Sequence, residues 1–197
     1  MTKAQLRTPS SEVRPAVLRA AIEILATGTL NDFGVRDISA KAKVAPMAIY
    51  NHFDGMGGLL GEIWDEGFTA LRQALTTVPS DSESALEQGC LNYREFALAY
   101  RGHYRVMFLQ HFESFEPSVR NIQAAGLAFQ ALVDLVTADQ ANGRVRIGAP
   151  QDIAQIVWSS CHGYVALEMQ GQNFSQEAAE NYRNLLVMIT KGLDPRI

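Results

Sequence analysis

Apolar residues recur at helical spacing in almost every segment of this chain. Val17, Ala21, Ile24 and Leu25 lie at positions i, i+4, i+7 and i+8, which marks one buried face of an α-helix. Similar stripes follow along the chain, and no run alternates apolar and polar residues over a useful length. Arg101-Gly102 and Asn142-Gly143 are typical interruptions between helices. The pattern predicts an all-α fold of about nine helices, beginning with three short ones.

Charge and composition limit the classes of protein that fit. The 17 Lys and Arg residues face 21 Asp and Glu residues, a net charge of −4, which argues against charge-driven binding of arbitrary nucleic acid. The charge is uneven, because residues 1–60 carry seven basic and five acidic side chains, net +2, and the remainder is net −6. This excess of positive charge at one end is a weak indication of a polyanionic partner.

Several other classes lack their signals in the sequence. There is no apolar run of signal-peptide or membrane-spanning type, and Cys90 and Cys161 lie far apart in apolar stretches, as reduced core thiols do. The histidines lack metal-ligand spacing, and the glycine-rich run 55–61 lacks the spacing and the preceding strand of a phosphate loop. We therefore expect a cytoplasmic protein with no membrane partner, no metal, no cofactor and no catalytic residues.

Residues 35–53, VRDISAKAKVAPMAIYNHF, read as two short helices joined by a tight connection. The first helix is predicted over 35–42 and the second over 46–52, where Pro46 suits the first turn because its missing N–H has no partner to lose there. Apolar spacing packs the two helices against each other through Ile38, Ala42, Val44 and Ile49. This arrangement is a helix-turn-helix, whose second helix enters the major groove of DNA.

The same residues resemble the TetR family of transcriptional regulators. The matching run is GVRDISAKAKVAPMAIYNHF followed by GLLGEIWDEGFTAL, and Ile49-Tyr50-x-His52-Phe53 is its most specific part. The C-terminal half resembles a regulatory subtype named for a Trp-His-Gly signature, here Trp158, His162 and Gly163, with HYRVMF at 103–108 as a second marker. The resemblance runs from Val13 to Gly192.

This resemblance implies an N-terminal three-helix DNA-binding domain over 1–55 and a helical regulatory and dimerisation domain over 56–197. It further implies a homodimer in which each subunit reads half of a palindromic double-stranded DNA operator and is regulated, most often as a repressor, by a small-molecule effector. The strongly apolar residues 150–192 form the last two helices, which could pair with their copies in a second subunit or could simply complete the core of one subunit.

The resemblance also implies roles for individual residues in DNA binding. Phosphates would be contacted by Arg36 and Lys43, at the ends of the first helix, and by Tyr50 and His52 of the second. The outward face of the second helix would meet base edges: Met47, Ala48 and Asn51. The start of that helix would be positioned by Ala45 and Pro46.

Three positions depart from the family pattern. Lys43 occupies a turn position where the family usually has glycine, at some cost in strain or with an altered turn. Ala45 replaces the usual Ser or Thr cap, and Met56 stands where the fourth helix usually offers a lysine to phosphate. Each departure is expected to weaken DNA binding, and they leave open a helical ligand-binding or interaction protein of the same fold that no longer binds DNA.

An apolar or aromatic effector is expected from the aromatic side chains of the C-terminal part. The candidate ligand-binding residues are Tyr104, Met107, Phe108, His111, Phe112, Phe129, Trp158 and His162. The same residues could instead be ordinary core, and the Trp-His-Gly signature could be a packing device in which Gly163 lets another helix approach closely.

Overall fold

In the computed structural model, the described residues are 9–27, 33–79 and 82–196, and they form nine α-helices and no strand. A short 3-10 turn, Ser10–Glu12, precedes the first helix, and a π-helical turn, Arg105–Leu109, continues the sixth. The helices are α1 (Val13–Thr27), α2 (Val35–Ala42), α3 (Met47–Phe53), α4 (Met56–Thr76), α5 (Ala85–Ala99), α6 (Arg101–Tyr104), α7 (Val119–Ala141), α8 (Pro150–Met169) and α9 (Ala178–Gly192). The all-α prediction is confirmed, and α2 has the predicted bounds. None of the described helices is long and apolar enough to cross a membrane.

The expected interruption at Arg101-Gly102 has a different form. The helical backbone breaks one residue earlier, at Tyr100 (φ −105, ψ 42), and Gly102 is buried within α6. A Cβ atom on Gly102 would lie 2.4 Å from the carbonyl oxygen of Ile22 in α1. Glycine is required here because the backbones of two helices approach closely, and a single sequence does not distinguish such a packing glycine from a helix breaker.

The chain divides into two compact units. The first comprises the residues up to Gly67 together with Tyr100–Ile122, and the second comprises Phe68–Ala99 and Gln123–Ile197. The core of the first unit is made by fully buried aliphatic side chains: Val17, Ala21, Ile38, Ile49, Leu59, Leu60 and Ile63. These units follow packing rather than function, so the functional division at residue 55 stays a prediction.

In the second unit a buried carboxylate caps a helix. Asp139 of α7 is fully buried and accepts hydrogen bonds from the Ser84 hydroxyl (2.5 Å) and from the backbone N–H groups of Ala85 and Leu86 (both 3.1 Å). Because the first N–H groups of a helix have no partner within it, Asp139 supplies the acceptors that the start of α5 needs. Cys90 and Cys161 are buried free thiols in the same unit, as expected.

Candidate nucleic-acid interface

The helices α2 and α3 pack through a small apolar contact and present the rest of α3 outward. Ile38, Ala42 and Ile49 are buried, as the spacing predicted, and Val44 in the connection is half-buried. This packing uses one side of α3, and Met47, Tyr50 and Asn51 on its other side are exposed. The arrangement is the predicted helix-turn-helix.

Lys43 forms the turn between the two helices in a left-handed backbone conformation, φ 56 and ψ 42. The N–H of Lys43 donates to the carbonyl of Ala40 (3.2 Å), and the N–H of Val44 donates to that of Ser39 (3.0 Å), so α2 ends in a closed hydrogen-bonded turn. Lysine in this position is expected either to strain the turn or to alter it. The turn keeps its ordinary left-handed conformation, which the Cβ atom of lysine makes unfavourable.

Replacing Lys43 with glycine is therefore expected to raise the free energy of unfolding by about 1 kcal/mol, because glycine adopts positive φ without steric cost. The same variant should bind DNA more weakly, since a positive charge is removed. Urea unfolding at fixed subunit concentration, together with fluorescence anisotropy on DNA, measures both effects. Lys43→Ala is the matched control, which removes the charge but keeps the strain; equal stability of the two variants would contradict this assignment.

The outward face of α3 carries the predicted base-reading residues. Met47 is 63% exposed, Asn51 and His52 are exposed, and Ala48 is half-buried. The Tyr50 side chain is 54% exposed, and a Cβ atom on Gly55 would lie 3.7 Å from Cε1 of its ring. An exposed methionine and an exposed tyrosine on a helix seven residues long leave a surface suited to contact with another molecule.

The start of α3 lacks a side-chain cap. Pro46 precedes the helix in helical backbone geometry (φ −52, ψ −35), and no side chain caps this end. The carbonyl of Ala45 accepts from the N–H of Ala48 (2.9 Å), while the alanine side chain has no oxygen to offer, as the sequence indicated. No side-chain oxygen therefore serves as an acceptor for the first N–H groups of α3.

The remaining predicted phosphate-contacting residues lie at the ends of α2. Arg36, in its first turn, and Lys43, just after its last, are both exposed. Met56, at the start of α4, packs partly buried against the core of the first unit. This position therefore contributes an apolar contact rather than a charge.

The first group of predicted effector-binding residues lies in the first compact unit. Tyr104 and Met107 are buried, Phe108 and Phe112 are half-buried, and His111 is exposed. A surface pocket of about 290 Å³ is lined by the last four of these residues together with neighbouring apolar and aromatic side chains, among them Trp64, Val106, Leu109, Phe115 and Pro117. Fully buried Tyr104 packs behind it, with its ring centroid 4.9 Å from that of Phe108.

The second group lies in the second compact unit. The ring centroid of Trp158 is 6.2 Å from that of Phe129 and 5.7 Å from that of His162. The Tyr93 hydroxyl lies 3.2 Å from Nδ1 of His162, and burial lowers the pKa of this imidazole, which favours its neutral form. Sequence reasoning missed Tyr93, because its place in the apolar stripe of α5 does not reveal a polar partner on α8.

The last two helices carry exposed apolar residues in the second unit. Ile156 and Leu167 of α8 and Val187 and Met188 of α9 are exposed. Between the two α8 residues, a Cβ atom on Gly163 would meet no described atom within 4 Å. The small residue therefore leaves open space beside α8 rather than accommodating a neighbouring helix of the same chain.

The fold and the α2–α3 geometry together define a helix-turn-helix DNA-binding protein. Comparison with known families agrees: residues 17–63 match the model for "Bacterial regulatory proteins, tetR family", and residues 86–189 match that for "Tetracyclin repressor-like, C-terminal domain". The chain belongs to the TetR family. It is a DNA-binding transcriptional regulator, and members of this family are regulators rather than enzymes.

Solved structures of several bacterial regulators share this fold. A regulatory protein of the tetR family from Rhodococcus RHA1 is 16% identical, with a TM-score of 0.73 and coverage of 95% of this chain and 98% of that one. PfmR from Thermus thermophilus is 19% identical, with a TM-score of 0.68 over 95% and 98% of the two chains. NalD, the secondary repressor of the MexAB-OprM multidrug efflux pump in Pseudomonas aeruginosa, is 18% identical, with a TM-score of 0.66 over 94% and 97%. No curated protein sequence matches this chain.

Proposed function

We propose that the chain is a homodimeric repressor that binds a palindromic operator through α3 and is released from it by a small apolar or aromatic molecule. The observation that carries the proposal is the outward face of α3, where Met47 and Asn51 are exposed and Ala48 is half-buried. Asparagine can pair with two edge atoms of adenine, and methionine or alanine can contact the methyl group of thymine. The flanking phosphates are then contacted by Arg36, Lys43, Tyr50 and His52.

A palindromic operator requires two copies of α3 on one face of the duplex. The exposed apolar residues of α8 and α9 support pairing of these helices with their copies in a second subunit, since such residues are buried in the seam of a four-helix interface. The two recognition helices then lie about 34–36 Å apart, one helical turn of DNA. The open space beside Gly163 supports close approach of the partner α8.

Release by an effector requires that the ligand bind one conformation better than the other. Two aromatic clusters support an apolar or aromatic effector: the pocket at Met107, Phe108, His111 and Phe112, and the group of Phe129, Trp158 and His162. Repression is favoured because NalD, which shares the fold, is itself a repressor. The helix α4, which follows the DNA-binding helices directly along the chain, is the element we propose as the lever.

Binding to the DNA that flanks the chain's own gene tests this proposal. Anisotropy titrations of that DNA and of random duplex, at equal salt, should show a preference of at least about 10³-fold for one site. Equal affinity for all duplexes, or no binding, would favour a helical ligand-binding protein of the same fold.

Once the operator is identified, Trp158→Ala should alter the release of the protein from it by apolar ligands while leaving the affinity for DNA unchanged.

A further inference from the structure

Arg14 joins three helices of the first compact unit. It lies in the first turn of α1, and its Nη1 donates to the main-chain oxygen of His52 near the end of α3. Its Nη2 lies 2.6 Å from both carboxylate oxygens of Glu62 in α4. One side chain thus contacts the helix that faces DNA and the helix that follows it.

The guanidinium group also covers an aromatic ring. The Cζ atom of Arg14 lies 4.7 Å from the ring centroid of Phe53, the buried last residue of α3. The main-chain carbonyls in the last turn of a helix have no N–H partner within it, so the bond to His52 satisfies an acceptor that α3 leaves open. Only a planar group with several donors can stack on a ring and serve acceptors on two helices at once.

We propose that Arg14 and Glu62 are positioning residues of the DNA-binding site, which together fix the C-terminal end of α3 against α1 and α4. Base reading requires side chains held within about 0.5 Å of the productive geometry, and a seven-residue helix has few contacts of its own to provide this. This role rests on DNA binding by the chain, and the family resemblance assigns no role to Arg14 or Glu62.

A direct phosphate contact is the competing role for Arg14, whose side chain is 49% exposed. The two roles predict different effects on DNA affinity when the charge of Glu62 is removed. If Arg14 acts on phosphate, removing the negative charge of Glu62 should strengthen DNA binding or leave it unchanged, because acidic groups repel the DNA backbone. If Glu62 holds Arg14 in place on α3, the same change should weaken binding.

The test is therefore Glu62→Gln, with Glu23→Gln as its matched control. Glu23 pairs with Lys41 at 2.9 Å on the exposed surface of the same unit, so the control removes an equal charge without touching α3. We expect Glu62→Gln, which keeps an acceptor oxygen but removes the charge that strengthens the bond to Arg14, to weaken operator binding about fivefold, and Glu23→Gln to change it less than twofold. Unchanged or tighter binding by Glu62→Gln would overturn the proposal.

A second variant tests the same assignment on the operator, and a measurement without DNA makes the result independent of the operator. Arg14→Lys keeps the positive charge but not the planar guanidinium group. It should bind the operator about tenfold more weakly, with an unchanged slope of log affinity against log salt. Binding as tight as that of the parent chain would identify a phosphate contact instead. In the absence of DNA, hydrogen exchange of the α3 amides should accelerate in both variants while that of α8 does not. Unaltered α3 exchange would also overturn the proposal, whereas absence of an operator for the parent chain would affect only the proposed function.

Discussion

A chain carrying both Ile156→Asp and Met188→Asp is expected to be monomeric and to bind its operator about 10²–10⁴ times more weakly than the parent chain. Ile156 of α8 is 59% exposed and Met188 of α9 is 64% exposed, so neither substitution disturbs the core of the subunit. In the proposed dimer four carboxylates would be buried in an apolar seam, at a cost that the interface cannot offset. Each α3 would then bind its half-site alone, without the advantage of the linked second half.

Analytical ultracentrifugation and anisotropy on the operator measure the two effects, and circular dichroism checks that the helices are intact. Phe174→Asp is the control, because Phe174 is a fully exposed apolar residue in the loop between α8 and α9. It should leave both the dimer and the DNA affinity unchanged. A dimer that survives the double substitution would place the interface elsewhere.

Asn51→Ala is expected to weaken binding to the operator by roughly 2–6 kcal/mol, because the substitution removes a base contact worth about 1–3 kcal/mol from each half-site. The Asn51 side chain is exposed on α3, so the stability of the subunit should not change. Binding to random duplex should also be unaffected, since phosphate contacts dominate it. Titration of a panel of operators with single base changes locates the position where preference disappears.

Lys43→Ala provides the contrast for Asn51→Ala. Removing a side chain that neutralises a phosphate should weaken binding to all sequences alike, and it should flatten the slope of log affinity against log salt by about 0.9 for each phosphate no longer neutralised. If Asn51→Ala lowered affinity for random duplex as much as for the operator, Asn51 would bind the DNA backbone and would not read bases.

The helices could be predicted from the sequence because their signals are local. The bounds of α2 and the outward face of α3 follow from apolar spacing within a dozen residues. The family pattern at Lys43 left open whether the turn keeps its left-handed conformation or is altered. The sequence does not predict which faces of α8 and α9 are exposed, because their high apolar content fits both a core and an interface.

The contacts that position these helices could not be predicted, because their partners are distant in the sequence. Arg14 lies 38 residues from His52 and 48 from Glu62, and Asp139 lies 53 residues from Leu86, whose N–H donates to its carboxylate. In the sequence each is a charged residue in a predicted helix, where such residues are mostly exposed. Likewise, the candidate effector-binding residues form one aromatic set in the sequence, but five belong to the first compact unit and three to the second. Nothing in their spacing shows which helices pack together.

In the proposed complex, two copies of α3 read adjacent major grooves on one face of DNA. Hydroxyl-radical footprinting of the operator by the parent chain tests it most directly, with residues 47–52 of each subunit as the reading surface. The expected result is two protected segments on the same face of the duplex, with centres about 10–10.5 base pairs apart and related by the operator's two-fold symmetry. A single protected segment, or protection with no helical phase, would contradict the claim.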